Sequence, residues 1–548
     1  MDSYEESKIH TKRYAKLKRL LKLIYGYDSF RTKQYEVINR VVSGEDVCAI
    51  MPTGAGKSIC FQIPAIYLEK PAVVICPLIS LMNDQRLILD DLGLTSCCYN
   101  STTANKSALK REILKGRYQF VYITPESIVN MKSFFEELIE SQGISLFAID
   151  EAHCISSYGF DFRKAYRDLT FIRENFEEIP ILAVTATATE LVGRDICKVL
   201  NLKTERPITT SFDRPNLYIE IQTKGKNPKD DIVPIIKKYP NKSIIIYCLT
   251  KKDTEKINDI LKVMKYKCGM YHAGMDTDDK TQTHEKFLRG KIHIVVATIA
   301  FGMGINKPDV RVVIHYGAPK NIEGYYQEIG RAGRDGKKAY CYTFYIFRDF
   351  KIQENFIHGI TDINFQKVQL KLLERMRKFI TSETCRRHTI LNYFGDDSME
   401  TDNCGWCDNC TGAPKSKTTV VKTTQDVKTE AKLIIELIES IKNRSFGAGM
   451  YINILRGSKN KSIAAPIRKS KFYGKGKHKS VEWWKELVDN LVRLGYLQTV
   501  YVKGGGFGMQ VLKVTQQGIS WTNMAEFNDL IDGLDVKKLE PIVMNTAV

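Results

Sequence analysis

Asp46-Val47-Cys48-Ala49-Ile50 runs straight into Met51-Pro52-Thr53-Gly54-Ala55-Gly56-Lys57-Ser58, and then into Ile59-Cys60-Phe61-Gln62-Ile63-Pro64. A short apolar strand, a glycine-bearing turn and a helix start, in that order, belong to a parallel sheet with helices on its faces. Gly54 and Gly56 let the backbone curl until its N–H groups point inward at phosphate oxygens. Lys57 supplies a point charge to the β- and γ-phosphates of a nucleotide, and Ser58 offers a hydroxyl to Mg²⁺. Met51 stands where the usual pattern has its first glycine. The ordinary alternative is a glycine turn with an exposed lysine, and the residues downstream decide between the two.

Leu146-Phe147-Ala148-Ile149 feeds Asp150-Glu151-Ala152-His153, which sets two carboxylates at the C-terminal end of a buried strand. Ligands bind at that end of an open parallel sheet. Asp150 can hold Mg²⁺ through water, while Glu151 can orient and deprotonate an attacking water. His153 can couple this site to whatever is bound nearby, and Thr185 and Thr187, closing the strand Ile181-Leu182-Ala183-Val184, can link it to a neighbouring domain. Upstream, the Gln34 amide pairs a donor with an acceptor and so can read adenine, with Tyr27 and Arg31 sandwiching the ring. Tyr158, Phe160, Phe162 and Arg163 fall within six residues beside the acidic pair, as in a loop that senses bases by stacking. A half-buried loop with aromatic anchors is the alternative there.

The alternation breaks near Pro207 and a second one begins, with apolar strands at 243–248 and 292–298. Two α/β units sharing one phosphate loop suggest a nucleotide clamped between two domains, so the second must send charge across the cleft. The run Gln327-Glu328-Ile329-Gly330-Arg331-Ala332-Gly333-Arg334 can do so. Gln327, Arg331 and Arg334 are its candidate catalytic residues. The two arginines are expected one turn apart on a helix, facing the γ-phosphate, with Arg334 as the arginine finger.

Of fourteen cysteines, most are scattered, which argues for a reducing intracellular compartment rather than a disulfide framework. Cys404, Cys407 and Cys410 form a run that can converge on one metal, with Cys385 completing a tetrahedral zinc site. Iron–sulfur clusters use similar runs, but the bacterial cluster pattern wants a further cysteine and a proline directly after Cys410, and Thr411-Gly412-Ala413-Pro414 brings no cysteine. A Lys-, Ser- and Thr-rich linker follows. Helices and a hairpin after it suggest a winged helix whose tip, Gly504-Gly505-Gly506-Phe507-Gly508, exposes Phe507 as a wedge for a duplex junction. A plain glycine-rich turn remains open. The formal charge of +19 favours a polyanionic partner. No run reaches the roughly 18 apolar residues of a membrane span, and the N-terminus lacks a signal peptide's apolar core, so secretion and membrane insertion are not expected. Nuclear and cytoplasmic or nucleoid placement both stay open.

Phe30-Arg31-x-x-Gln34, Asp150-Glu151-Ala152-His153-Cys154-Ile155-Ser156 and Ser211-Phe212-Asp213-Arg214-Pro215-Asn216 stand out together with two further motifs. These are Ala300-Phe301-Gly302-Met303-Gly304-Ile305-Asn306-Lys307-Pro308 and the run from Gln327 to Gly336. Jointly they resemble the RecQ family of superfamily 2 DNA helicases, closely over 25–412 and more loosely over 430–515. The resemblance implies two tandem RecA-like α/β domains (1–208 and 209–348) and a helical zinc-binding module (349–412). A linker (413–429), a winged-helix DNA-binding domain (430–520) and a tail (521–548) would follow. It further implies ATP-driven, 3′-to-5′ movement on single-stranded DNA and unwinding of duplexes, in DNA repair, recombination or replication, with zinc on the four cysteines. The family's aromatic loop usually carries Trp and His where this chain has Tyr158 and Phe160, and Gln where it has Ser157. About 30 residues follow the winged helix, so the extra C-terminal helical domain of many relatives is not expected. An RNA helicase of the DEAD/DEAH type and a nucleotide-dependent annealing factor are the competing readings.

Overall fold

The computed structural model describes residues 3–302, 307–412, 424–441, 445–460, 462–502, 509–522 and 543–545. They form two units, 1–415 and 416–548.

The first unit holds two parallel sheets. Seven strands make the first: β1 (Val47–Ile50), β2 (Ala72–Ile75), β3 (Ser96–Tyr99), β4 (Phe120–Ile123), β5 (Leu146–Ile149), β6 (Ile181–Thr185) and β7 (Ile208–Thr209). Their spatial order is β3-β4-β2-β5-β6-β1-β7. β1, β2, β4, β5 and β6 are buried along their whole length, because helices cover both faces; that is why they read as unbroken apolar runs. The phosphate-loop strand β1 and the acidic strand β5 both flank β6, so their C-terminal ends open side by side. The first helix, Ser3–Tyr25, buries Leu17 and Leu21 in the same core.

The second sheet contains β8 (Leu217–Thr223), β9 (Ser243–Cys248), β10 (Cys268–Tyr271), β11 (Ile294–Ala297), β12 (Val310–Tyr316) and β13 (Ala339–Tyr345), in the order β10-β11-β9-β12-β13-β8. Ile208–Thr209 pairs with β1, and the Thr210 N–H donates to the Ile50 carbonyl at 3.0 Å, so the chain leaves the first sheet just beyond the expected boundary at 208.

Helices Phe347–His358, Ile363–Thr381, Arg386–Phe394 and Asp408–Thr411 complete the unit. This helical module lies on the outer edge of the second sheet. Phe394 stacks on Phe212 at 4.3 Å and 8°, Phe379 packs on Tyr325, and Cys407 forms a β-bridge with Ile219 of β8.

The second unit is built on helices Lys428–Ser440, Ala448–Leu455 and Val481–Arg493, followed by an antiparallel hairpin, Leu497–Val502 with Met509–Val514. Trp484 is fully buried at its centre and donates to the Gly476 carbonyl at 2.9 Å. The expected linker, 413–429, contains a strand and the start of a helix. Val427 is buried beside Ala431 and Ile434, so the apolar face begins earlier than expected, and Thr424–Asp426 pairs with Val543–Asn545 of the expected tail. Phe507, the expected wedge, lies outside the described residues, as do residues 303–306. Among the described residues no helix is long and apolar enough to cross a membrane.

Candidate active site and metal centre

Gly54 and Gly56 adopt φ of +89° and +84°, in the left-handed region where a side chain is strained. That conformation turns the chain from β1 into the helix Ile59–Leu68. Met51, in place of a glycine, is fully buried under that helix and touches Cys60, so it anchors the loop to the core. Pro52 is buried too, and its carbonyl accepts from the Ala55 N–H at 3.0 Å; Ser58 is half-buried at the helix start.

Gln34 is buried, and its amide is turned onto the loop. Nε2 donates to the Ala55 and Gly56 carbonyls, both at 3.1 Å, while Oε1 accepts from the Arg31 N–H at 2.7 Å. Arg31 in turn donates to the Gly54 carbonyl. A Cβ at Gly56 would come within 2.5 Å of Gln34 Nε2, so the second glycine is also a packing requirement. Tyr27 is exposed in the turn between the first two helices.

Lys57, half-buried, donates to the Met51 carbonyl at 3.2 Å. Burial lowers its pKa, against the pull of Glu151 and Asp150. Asp150 is buried at the end of β5. Burial first, then the adjacent Glu151, push its carboxyl up to about 7, with Lys57 opposing. Tyr166, which drew no attention in the sequence, donates to the Asp150 carbonyl at 3.0 Å.

Glu151 takes φ +51°, unusual for a residue with a side chain and the kind of backbone strain kept at functional sites. Its Oε2 is buried without a hydrogen-bond partner and lies 3.3 Å from His153 Nδ1. The same nitrogen is 2.8 Å from Thr185 Oγ1, and the Thr187 N–H reaches that oxygen at 3.4 Å. The imidazole is buried, which lowers its pKa and keeps it neutral. Sequence reasoning grouped His153, Thr185 and Thr187, and the fold brings them together.

The aromatic loop divides. Tyr158 is 51% exposed. Phe160 lies flat on the His153 ring at 4.7 Å and 15°. Phe162 packs on Phe365, and Arg163 donates to the Pro77 carbonyl at 2.9 Å. Gln369, on the helix Ile363–Thr381, donates to the Gly159 carbonyl at 3.3 Å.

Opposite the phosphate loop stands the turn after the helix Ile322–Ile329. Arg331 and Arg334 are therefore not on a helix, as expected, but just beyond one. Gly333 takes φ +58°, a conformation no helix accommodates, and its N–H donates to the Val310 carbonyl instead. The turn carries Arg334 across to the other lobe: a Cβ on Gly54 would lie 3.7 Å from Arg334 Cγ. Burial, then the charges of Arg331 and Arg214, lower the Arg334 pKa. Such a crowd of guanidinium groups is relieved by an anion. Gln327 is half-buried on the preceding helix. Arg214, quoted above only as part of a motif, donates to Thr53 in one lobe and to Gly330, Ala332 and Gly333 in the other.

Cys385, Cys404, Cys407 and Cys410 bring their sulfurs within 4.8 Å of one another, with Cys404 and Cys410 3.8 Å apart. Four thiolates about 2.3 Å from one tetrahedral ion stand roughly 3.8 Å apart, so the donor set fits a single zinc and is too tight to enclose a multi-iron cluster. The His388 and Trp406 N–H groups donate to Cys385 and Cys404 sulfurs. Asp408, between two ligands, is buried and accepts from Arg386 and from the Ile221 N–H of β8.

Four family models match successive stretches of the chain. Residues 31–194 match the DEAD/DEAH box helicase family and 228–336 the helicase conserved C-terminal domain. Residues 347–411 match the RecQ zinc-binding domain and 421–526 the RQC domain. A protein of Acanthamoeba polyphaga mimivirus, provisionally named an ATP-dependent RNA helicase, is 62% identical over 550 residues, with 100% of both chains covered. The bifunctional 3′-5′ exonuclease/ATP-dependent helicase WRN of Mus musculus is 37% identical over 539 residues, covering 95% of this chain but only 38% of its own. The ATP-dependent DNA helicase RecQ of Haemophilus influenzae is 38% identical over 484 residues, covering 88% of this chain and 76% of its own.

Proposed function

Because the chain belongs to the RecQ family of ATP-dependent DNA helicases, which bind zinc through a four-cysteine module, we propose that it moves 3′-to-5′ along single-stranded DNA and separates duplexes. The observation that carries the motor reading is the meeting of Arg334 with Gly54 across two lobes that also present Lys57 and Glu151. Hydrolysis needs the γ-phosphate bound from one side, its developing charge met from the other, and a water oriented between them. Lys57 and the loop N–H groups bind the phosphates. Glu151, with one oxygen unpartnered and His153 beside it, orients the water. Arg331 and Arg334 meet the charge. Asp150 and Ser58 would hold Mg²⁺, which supplies charge neutralisation between the phosphates. Tyr158, exposed while Phe160 rests on His153, is the residue of its loop best placed to stack on a base, and that stacking connects DNA to the hydrolytic histidine.

The test is strand separation on matched 3′-tailed and 5′-tailed duplexes of DNA and of RNA. Unwinding of the 3′-tailed DNA is expected. Activity confined to RNA would make this an RNA motor, as the mimivirus relative's name has it, and ATP turnover without separation would make it an annealing factor.

A pH profile checks the acidic pair. Below about 7 Asp150 carries a proton, which must leave before the carboxylate accepts a cation or its bound water. Affinity for the Mg²⁺-nucleotide is therefore expected to rise as the pH climbs from about 6 to about 8, approaching tenfold per unit on the acid side and levelling above. A flat profile, or one that falls, contradicts the assignment.

A further inference from the structure

We propose that Arg214 is a positioning residue for hydrolysis, a clasp between the lobes that places Arg334 over the phosphate loop and whose neighbour Asp213 is held by Arg387 of the zinc module. Its guanidinium faces carbonyls from both lobes at once. Nη1 donates to Thr53 at 3.1 Å and Gly330 at 3.3 Å; Nη2 donates to Ala332 at 2.8 Å and Gly333 at 3.1 Å. Nε donates to the Asn216 amide oxygen at 3.3 Å. All five acceptors are carbonyl oxygens, so the cation also adds to the positive field around Arg331 and Arg334 rather than being neutralised by an acid. Only a planar fork with donors on two edges spans such a set.

Thr53 belongs to the phosphate loop, and residues 330–334 are the turn that carries both arginines. The two backbones are close enough that a Cβ on Gly330 would stand 3.2 Å from Thr53 Cβ. The clasp therefore acts where the separation between phosphate loop and arginine finger is decided. Asn216 tightens the same turn, donating to Gly333 at 2.9 Å and Lys337 at 3.0 Å.

The residues either side of Arg214 are tied outward. Both oxygens of Asp213 accept from Arg387 in the helix Arg386–Phe394. The Phe212 carbonyl accepts from Tyr326 at 2.6 Å, and its N–H donates to Asp396. A continuous set of bonds thus runs from the zinc module through Asp213 and Arg214 to the phosphate loop. Displacing a catalytic group by about 1 Å can cost around a hundredfold in rate, so slack in this set appears in turnover before it appears in binding.

The proposal rests on the ATPase reading, and wild type and Glu151→Gln measured alongside keep the two separate. Arg214→Ala is expected to lower kcat for DNA-stimulated ATP hydrolysis by about tenfold or more. KM for ATP and the Kd of a non-hydrolysable ATP analogue should stay within about threefold. Arg214→Lys keeps the charge but lacks the fork, and should recover little of the loss. Arg387→Gln should lower kcat in the same direction, and the Arg214→Ala/Arg387→Gln double variant should be no worse than Arg214→Ala. A kcat within twofold of wild type, full recovery by lysine, or a loss matched by weaker analogue binding and a lower Tm would each overturn the clasp. A wild type that fails to hydrolyse ATP would overturn the ATPase reading instead.

Discussion

Glu151→Gln is expected to lower ATP turnover by about 10²- to 10⁴-fold while leaving nucleotide binding within about threefold, because it removes a general base and nothing that holds phosphate. The amide has the shape of the carboxylate, so the left-handed backbone at this position and the strand behind it should be undisturbed. In the proposed mechanism binding is carried by the loop N–H groups and Lys57, whose amine lies against the Met51 carbonyl rather than Glu151. The buried, unpartnered Oε2 is the atom whose proton affinity the change abolishes. The neighbouring Asp150 should respond as well. Its pKa is held up partly by the Glu151 charge, so neutralising that charge should bring it down and leave Asp150 ionised over a wider pH range. Turnover within tenfold of wild type, or loss of nucleotide binding, would assign the base elsewhere.

Removing the zinc is expected to have an effect of similar size through a different route. Binding at structural sites in small zinc peptides is worth about 10–16 kcal/mol, comparable to the whole stability of a domain. Here the ligand loop also anchors the sheet. Asp408 receives the Ile221 N–H, Cys407 bridges to Ile219, and Trp406 packs on Tyr218, all on the edge strand β8. Cys407→Ser, or prolonged chelation, should lower the first unfolding midpoint by about 5 °C or more, and elemental analysis of the intact protein should return one zinc per chain. Iron in its place, or an unchanged midpoint with the metal gone, would refute the structural role.

How much of this could be read beforehand follows physical lines. β1, β2, β4, β5, β6 and β9 announce themselves because both faces are covered and every position is buried, all but Thr185 and Ser243 being apolar or aromatic. β3 and β10, Ser96-Cys97-Cys98-Tyr99 and Cys268-Gly269-Met270-Tyr271, carry no such run, since an edge strand needs less burial. The edge strand β8 alternates Leu217, Ile219 and Ile221 with half-exposed residues and was masked by the motif before it. The phosphate loop and the cysteine quartet were legible because their chemistry depends on local spacing. Arg214 was not, because the four backbone carbonyls it binds lie more than a hundred positions away. Gln34 shows the opposite limit: its amide can read a base, yet the fold has turned it onto the loop.

The seam between the second sheet and the helical module also sets the smallest piece that can stand alone. Cutting the chain at 348, just past the last strand of the sheet, would bare the flat face of Phe212 and strip Phe394 from Tyr326. It would leave Asp213 without the Arg387 guanidinium that both of its oxygens accept from. A shortened motor that keeps its solubility therefore has to run to about residue 412, and a swap of this module between relatives has to carry residues 211–223 with it. The metal-binding piece is less an appendage than the last layer of the lobe it covers.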